Sequence, residues 1–281
     1  MSSALWRDRK RVMRMLRTMA LLLLLTASPA LAQPPSADVL RDLAPSGSLR
    51  AAINFGNSVL AQKGEGGAPR GVSVDLATEL AKRLGVPVAF VPYEAAGKVF
   101  EGAKSGEWDV GFMAIEPVRA AEIQFTAPYV VIEGTYMIRQ DSAFRDVTDV
   151  DRPGVKIAVG LGSAYDLYLT RTLQQAKIVR AKTGGGSAMI EMFIADNLDV
   201  AAGVRQQLDA YAKDHPEMRV MSGHFQEIAQ AMGMPRVEGQ ARDAGANYLA
   251  AFVEEMKASG FIADALKRSG QVAQVAPPAS K

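Results

Sequence analysis

The sequence predicts an α/β protein whose short strands alternate with helices around mostly parallel sheets. Three observations carry that expectation. From Leu49 onward, β-like runs are regularly separated by segments with helical periodicity. Two segments about 90 residues apart, Gly106-Glu107-Trp108-Asp109-Val110 and Asp196-Asn197-Leu198-Asp199-Val200, echo each other and hint at two similar lobes. Removing an expected leader leaves 249 residues, the size of one large or two ordinary domains.

The leader comes first. Basic residues Arg7, Arg9, Lys10, Arg11, Arg14 and Arg17 precede an apolar run from Met19 to Leu25, and Ala30-Leu31-Ala32 offers the small-x-small pattern of signal peptidase. Residues 1–32 therefore read as a secretory signal peptide, because the run is well short of the ~20 residues a bilayer span requires. Gln33 to Pro45 reads as a polar, flexible lead-in. Strands are expected at Leu49–Ile53, Val86–Val91, Asp109–Met113, Gly134–Ile138, Val155–Val159, Lys177–Ala181 and Asp199–Ala202. Leu76, Leu80 and Leu84 share one face of a helix that Asp75 can cap and Gly85 can close in the left-handed conformation. Further helices are expected at Lys98–Ser105, Tyr165–Ala176, Ala188–Asp196 and Ala241–Ala258, and residues 271–281 read as a disordered tail.

Composition removes several function classes. The chain has no cysteine, which excludes a disulfide framework, a thiolate metal site, a thiol nucleophile and a lipoprotein acylation site. Without its leader it carries 26 basic against 29 acidic residues, so nucleic acid is not an expected partner. Gly184-Gly185-Gly186 lacks the Gly-Lys-Ser/Thr ending of a phosphate loop and reads as a flexible turn. Two isolated histidines, His215 and His224, make a poor metal site, and no metal or cofactor is expected.

An ordered set of motifs covers nearly the whole chain beyond the leader, from about Leu49 to Phe261. It consists of Gly71-Val72-Ser73-Val74-Asp75-Leu76 with Leu80-Ala81-Lys82-Arg83-Leu84-Gly85, then Gly106-Glu107-Trp108-Asp109-Val110, Pro117-Val118-Arg119 and Phe125-Thr126-Ala127-Pro128-Tyr129. This set resembles the family 3 extracellular solute-binding proteins, which serve ABC importers of polar amino acids. The resemblance implies a two-lobed periplasmic binding protein fold of type II with ligand between the lobes. Lobe 1 would comprise residues 46–131 and 229–270 and lobe 2 residues 135–224, with hinges near Val130–Gly134 and His224–Ile228.

By the same resemblance Arg119 grips the ligand carboxylate, a task suited to a guanidinium that donates two parallel hydrogen bonds. Gly162, Ser163 and Ala164 match the family's Gly-Thr turn, where backbone N–H groups and a helix dipole can face a carboxylate. Asn54, Phe55 and Asn57 follow the first strand, where the family places contacts. The family's Thr-x-Thr-x-x-Arg is replaced by Ala114-Ile115-Glu116-Pro117-Val118-Arg119, leaving the Ala114 backbone N–H as a donor and Glu116 as a further candidate. No acid stands where the family holds the ligand ammonium; Arg205 is there instead, read either as a grip for a second acidic group or as a solvated helix residue.

The expected role is a monomeric periplasmic component that captures a small carboxylate-bearing solute, an amino acid or a related organic acid, for an inner-membrane ABC permease. The alternative is a dehydratase of cyclohexadienyl or arogenate type on the same fold, using Glu116 or Glu133 as general acid.

Overall fold

The computed structural model describes residues 34–182 and 185–280; the expected signal peptide lies outside them. Residues Pro35–Lys281 form one compact unit. Its helices are α1 (Ala37–Leu43), α2 (Val72–Leu84), α3 (Ala96–Lys104), α4 (Pro117–Ala120), α5 (Ala164–Thr172), α6 (Gly186–Ala195), α7 (Arg205–Asp214), α8 (Asp243–Ala258) and α9 (Phe261–Arg268). Its strands are β1 (Leu49–Asn54), β2 (Gln62–Lys63), β3 (Pro69–Arg70), β4 (Val88–Tyr93), β5 (Val110–Ala114), β6 (Ile123–Arg139), β7 (Lys156–Gly160), β8 (Lys177–Ala181), β9 (Val200–Val204), β10 (Met218–Val220), β11 (Gln226–Pro235) and β12 (Gln274–Val275). None of the described helices is long and apolar enough to cross a membrane.

The strands run in the order β4-β1-β5-β11-β6-β9-β7-β8. At one end β1 pairs in parallel with β4 and β5, and at the other β7 pairs in parallel with β8 and β9. Between these two parallel sets lies an antiparallel ladder of β6 and β11, which pairs Gln226 with Gly134 at one end and Pro235 with Ile123 at the other. The chain thus passes from one set to the other along two adjacent strands, giving two α/β lobes joined by a two-stranded strap.

The lobe echo has a physical basis. Asp109 precedes β5 and its Oδ2 accepts the Arg50 backbone N–H at 2.9 Å; Asp199 precedes β9 and its Oδ2 accepts the Lys156 backbone N–H at 2.8 Å. Each aspartate ties its strand to the start of the neighbouring strand. Trp108 and Leu198, one residue earlier in each copy, are both buried.

Helix α2 starts at Val72, ahead of the expected start, so Asp75 lies inside it and pairs with Arg268 at 2.6 Å. Burial explains the earlier start: Val72, Leu76, Leu80 and Leu84 form a single inward row, and Val72 is fully buried. Gly71 precedes the helix with φ 120°, and a Cβ there would lie 2.6 Å from the Leu60 carbonyl oxygen. Gly85 closes the helix at φ 70° as expected.

Two terminal expectations are corrected. The lead-in is ordered from Ala37, where Ser36 accepts the Val39 N–H to cap α1, and Val39 and Leu43 bury themselves in the main core. The tail is also ordered: β12 pairs Gln274 with Val131 and Val275 with Val130, and Ala276 is buried. Short apolar positions within polar sequence gave no periodicity to read. Strand β11 was missed for a related reason, since its Ala- and Met-rich core half is buried on both faces and does not alternate.

Candidate functional site

Parallel strands present their C-terminal ends to a common cleft, the usual place for a ligand in α/β folds. From one lobe come the loop after β1 and the end of β5; from the other, the turn after β7 and the start of α6. Together with the strap they enclose a cavity of about 40 Å³. Its lining includes Asn54, Asn57, Ala114, Arg119, Ser163 and Ala164, six of the ten residues singled out in the sequence.

Arg119 is the central feature. Pro117 occupies the first turn of the short helix α4, and Arg119 lies on that helix at only 1% exposure. Its Nη1 donates to the Ala114 carbonyl at 3.0 Å and its Nη2 to the Gly162 carbonyl at 2.7 Å, so one guanidinium reaches both lobes. Its Nε is buried without a hydrogen-bond partner among the described residues. Burial pulls its pKa down to about 10, against a smaller opposing influence of Glu116, and the group stays charged at neutral pH.

The turn after β7 differs from the expected anion cradle. The Gly162 N–H is donated to Asp166 Oδ2 at 2.8 Å, and the Ser163 hydroxyl accepts the Asp166 N–H at 3.0 Å as the cap of α5. Gly162 serves the site through its carbonyl, bonded to Arg119, and does not line the cavity. Its left-handed φ of 69° brings it against Gly97 of the other lobe, where a Cβ would come within 2.9 Å of the Gly97 Cα. Glycines touch again beside it, since a Cβ on Gly185 would lie 2.2 Å from the Gly56 Cα. Gln207 adds a polar tie across the cleft by donating to the Gly56 carbonyl at 3.1 Å. Neither Gly185 nor Gln207 was selected from the sequence, because their roles exist only once the lobes meet; Gly184 lies outside the described residues.

Three further expectations are corrected. Glu116 turns away from the cavity, is buried, and accepts from Arg171 Nη1 at 2.7 Å and Gln226 Nε2 at 2.9 Å. It is a cross-lobe ion pair beside the site. Arg205 opens α7 and pairs with Glu133 on β6 while donating to the Met221 and Gly223 carbonyls, so it braces the strap outside the cavity. The second-acid grip read at that position has no structural support. Phe55 also lies outside the cavity lining, with the Lys63 ammonium 5.3 Å from its ring centre.

Among the described residues, no group of three or more His, Asp or Glu side chains could hold a metal ion. Arg205 holds the Glu133 carboxyl below the ordinary carboxylate range, the opposite of what a general acid requires.

Comparison with known proteins agrees with this architecture. The chain is 26% identical over 113 residues to the L-cystine-binding protein TcyJ of Escherichia coli (strain K12), covering 40% of this chain and 42% of that protein. It is also 26% identical over 170 residues to membrane-bound lytic murein transglycosylase F of Idiomarina loihiensis, covering 58% of this chain and 37% of the other. It thus spans about two-fifths of the length of these curated relatives. In fold it is similar to the crystal structure of the ancestral amino acid-binding protein AncCDT-1, a precursor of cyclohexadienyl dehydratase, with a TM-score of 0.67 and 23% identity over 82% of this chain and 98% of that one. The profile of the bacterial extracellular solute-binding proteins, family 3, matches residues 57–271, and with two lobes, a double-stranded strap and a cleft between them, the chain belongs to that family.

Proposed function

We propose that this protein is the periplasmic solute-binding component of an ABC importer and that it holds a small carboxylate-bearing solute between its lobes. The observation that carries the reading is Arg119: a buried, charged guanidinium lining the interlobe cavity, bonded to carbonyls of both lobes and to no carboxylate among the described residues. A buried charge of this kind gains most from a carboxylate, which replaces weaker carbonyl contacts with two-pronged, charge-assisted bonds. The names of TcyJ, an L-cystine-binding protein, and of the ancestral amino acid-binding protein support a solute-binding role. The leader pattern of residues 1–32 supports export.

The dehydratase reading has less support. Its candidate acids are Glu116, engaged by Arg171 and Gln226, and Glu133, engaged by Arg205 and His224. Mass spectrometry of small molecules released from protein purified under native conditions tests the proposal: a carboxylate-bearing solute is expected. Conversion of prephenate or arogenate to aromatic product by the purified protein would replace it with the enzyme reading.

A further inference from the structure

The carboxylates around the cleft are already matched to cations of their own. Glu116 is paired with Arg171 at 2.7 Å, Asp166 with Arg180 at 2.9 Å, and Glu133 with Arg205. None of the three lines the cavity, and among the described lining residues Arg119 is the one charged side chain. Arg119 has no ion-pair partner among the described residues.

Two of the four amide side chains in the lining, Asn54 and Asn57, are engaged through their oxygens. Asn54 Oδ1 accepts the Gly56 N–H at 3.0 Å and Asn57 Oδ1 accepts the Val59 N–H at 3.2 Å. Each oxygen takes part in a local turn, and each NH2 end remains a donor. An incoming ammonium needs acceptors and a counter-charge, whereas a keto oxygen needs a donor and a hydroxyl is neutral and satisfied by a donor and an acceptor, with no counter-charge.

We infer that the site takes a short 2-hydroxy or 2-oxo monocarboxylate in preference to the matching α-amino acid. This rests on the reading that Arg119 grips a carboxylate. A monocarboxylate and Arg119 sum to zero charge in the closed cleft. A zwitterion brings the same carboxylate plus an ammonium, leaving a net positive charge buried without compensation, and desolvating that charge works against binding. The small interlobe cavity, about 40 Å³ with the lobes together, favours a compact solute.

The test is calorimetric titration of the leader-free protein with matched probes: glycolate against glycine, and lactate and pyruvate against alanine. The expected result is binding of the hydroxy or oxo acids at least about tenfold tighter than their amino acid partners, abolished in Arg119→Gln. Asn57→Asp supplies a carboxylate to the lining while keeping the oxygen that caps Val59, and should move the preference toward the amino acid. This second variant keeps the test decisive should Arg119→Gln fail to fold. Amino acids that bind as tightly as their partners, with binding still lost in Arg119→Gln, would overturn the inference and leave the carboxylate grip standing. An unchanged preference in Asn57→Asp would also count against it. Binding of neither class, or binding indifferent to Arg119→Gln in a folded variant, would remove the grip and the inference together.

Discussion

Arg119 and Arg205 show how one residue type is given two tasks by its neighbours. Arg119 is buried among carbonyls and lacks an anion among the described residues, so replacing it with Lys keeps the charge and loses the flat, two-pronged geometry. Arg119→Ala is expected to weaken ligand binding by roughly 2–5 kcal/mol in a titration, and Arg119→Lys to bind poorly as well, with the melting temperature measured alongside to confirm folding. Arg205 already has Glu133 and two carbonyls. Arg205→Ala should therefore change ligand affinity by less than about 0.5 kcal/mol, and a large loss would return it to the site. The Glu133 carboxyl gives a signed pH expectation. With its folded pKa held below the ordinary value by Arg205, it stabilises the fold above that ordinary value and loses the contribution as acid protonates it at the lower folded pKa. Melting curves of the native protein and Glu133→Gln should converge on acidification.

At the scale of elements, the ordered termini are parts of the lobe that carries β1 and β5. Leu43 of α1 is fully buried, and α1 packs against α8; its neighbour Asp42 accepts the Gly245 N–H at 2.9 Å. Gly245 is needed there because a Cβ would meet the Asp42 side chain at 2.5 Å. Leu43→Ala is expected to cost about 2–5 kcal/mol of stability in chemical unfolding, whereas the same change in a flexible lead-in would cost nothing measurable. Strand β12 covers the edge of β6 beside the strap, and Lys257 donates to the Pro277 carbonyl at 2.9 Å just beyond it. These contacts explain why a sequence with no strong pattern is fixed in place: the partner supplies the hydrogen bonds that the segment's own composition does not demand.

The whole molecule acts through the meeting of its lobes. Closure rests on the Glu116–Arg171 pair, the Arg119 and Gln207 bonds to opposing carbonyls, and the two glycine contacts. Because a Cβ on Gly185 would sit 2.2 Å from the Gly56 backbone, Gly185→Ala should hold the lobes apart while leaving each lobe's core intact. Small-angle scattering is expected to show a radius of gyration that falls on ligand addition for the native protein and falls less for Gly185→Ala. Equal compaction of the two would refute the role of that contact.

The α/β class, most strand and helix positions, the family and the presence of Arg119 in the cleft were legible in the sequence because they depend on local periodicity or on short ordered motifs. Helix starts such as Val72, the Ala- and Met-rich strand β11 and the ordered termini were not, since burial against distant residues decides them. The same distinction governs the site. Sequence could place Arg119, Ser163 and Asn57 near one another through the family pattern. It could not assign Arg205 to Glu133, Glu116 to Arg171, or Gly162 to its carbonyl contact, because each choice belongs to a partner remote in the chain and brought close only when the lobes fold together.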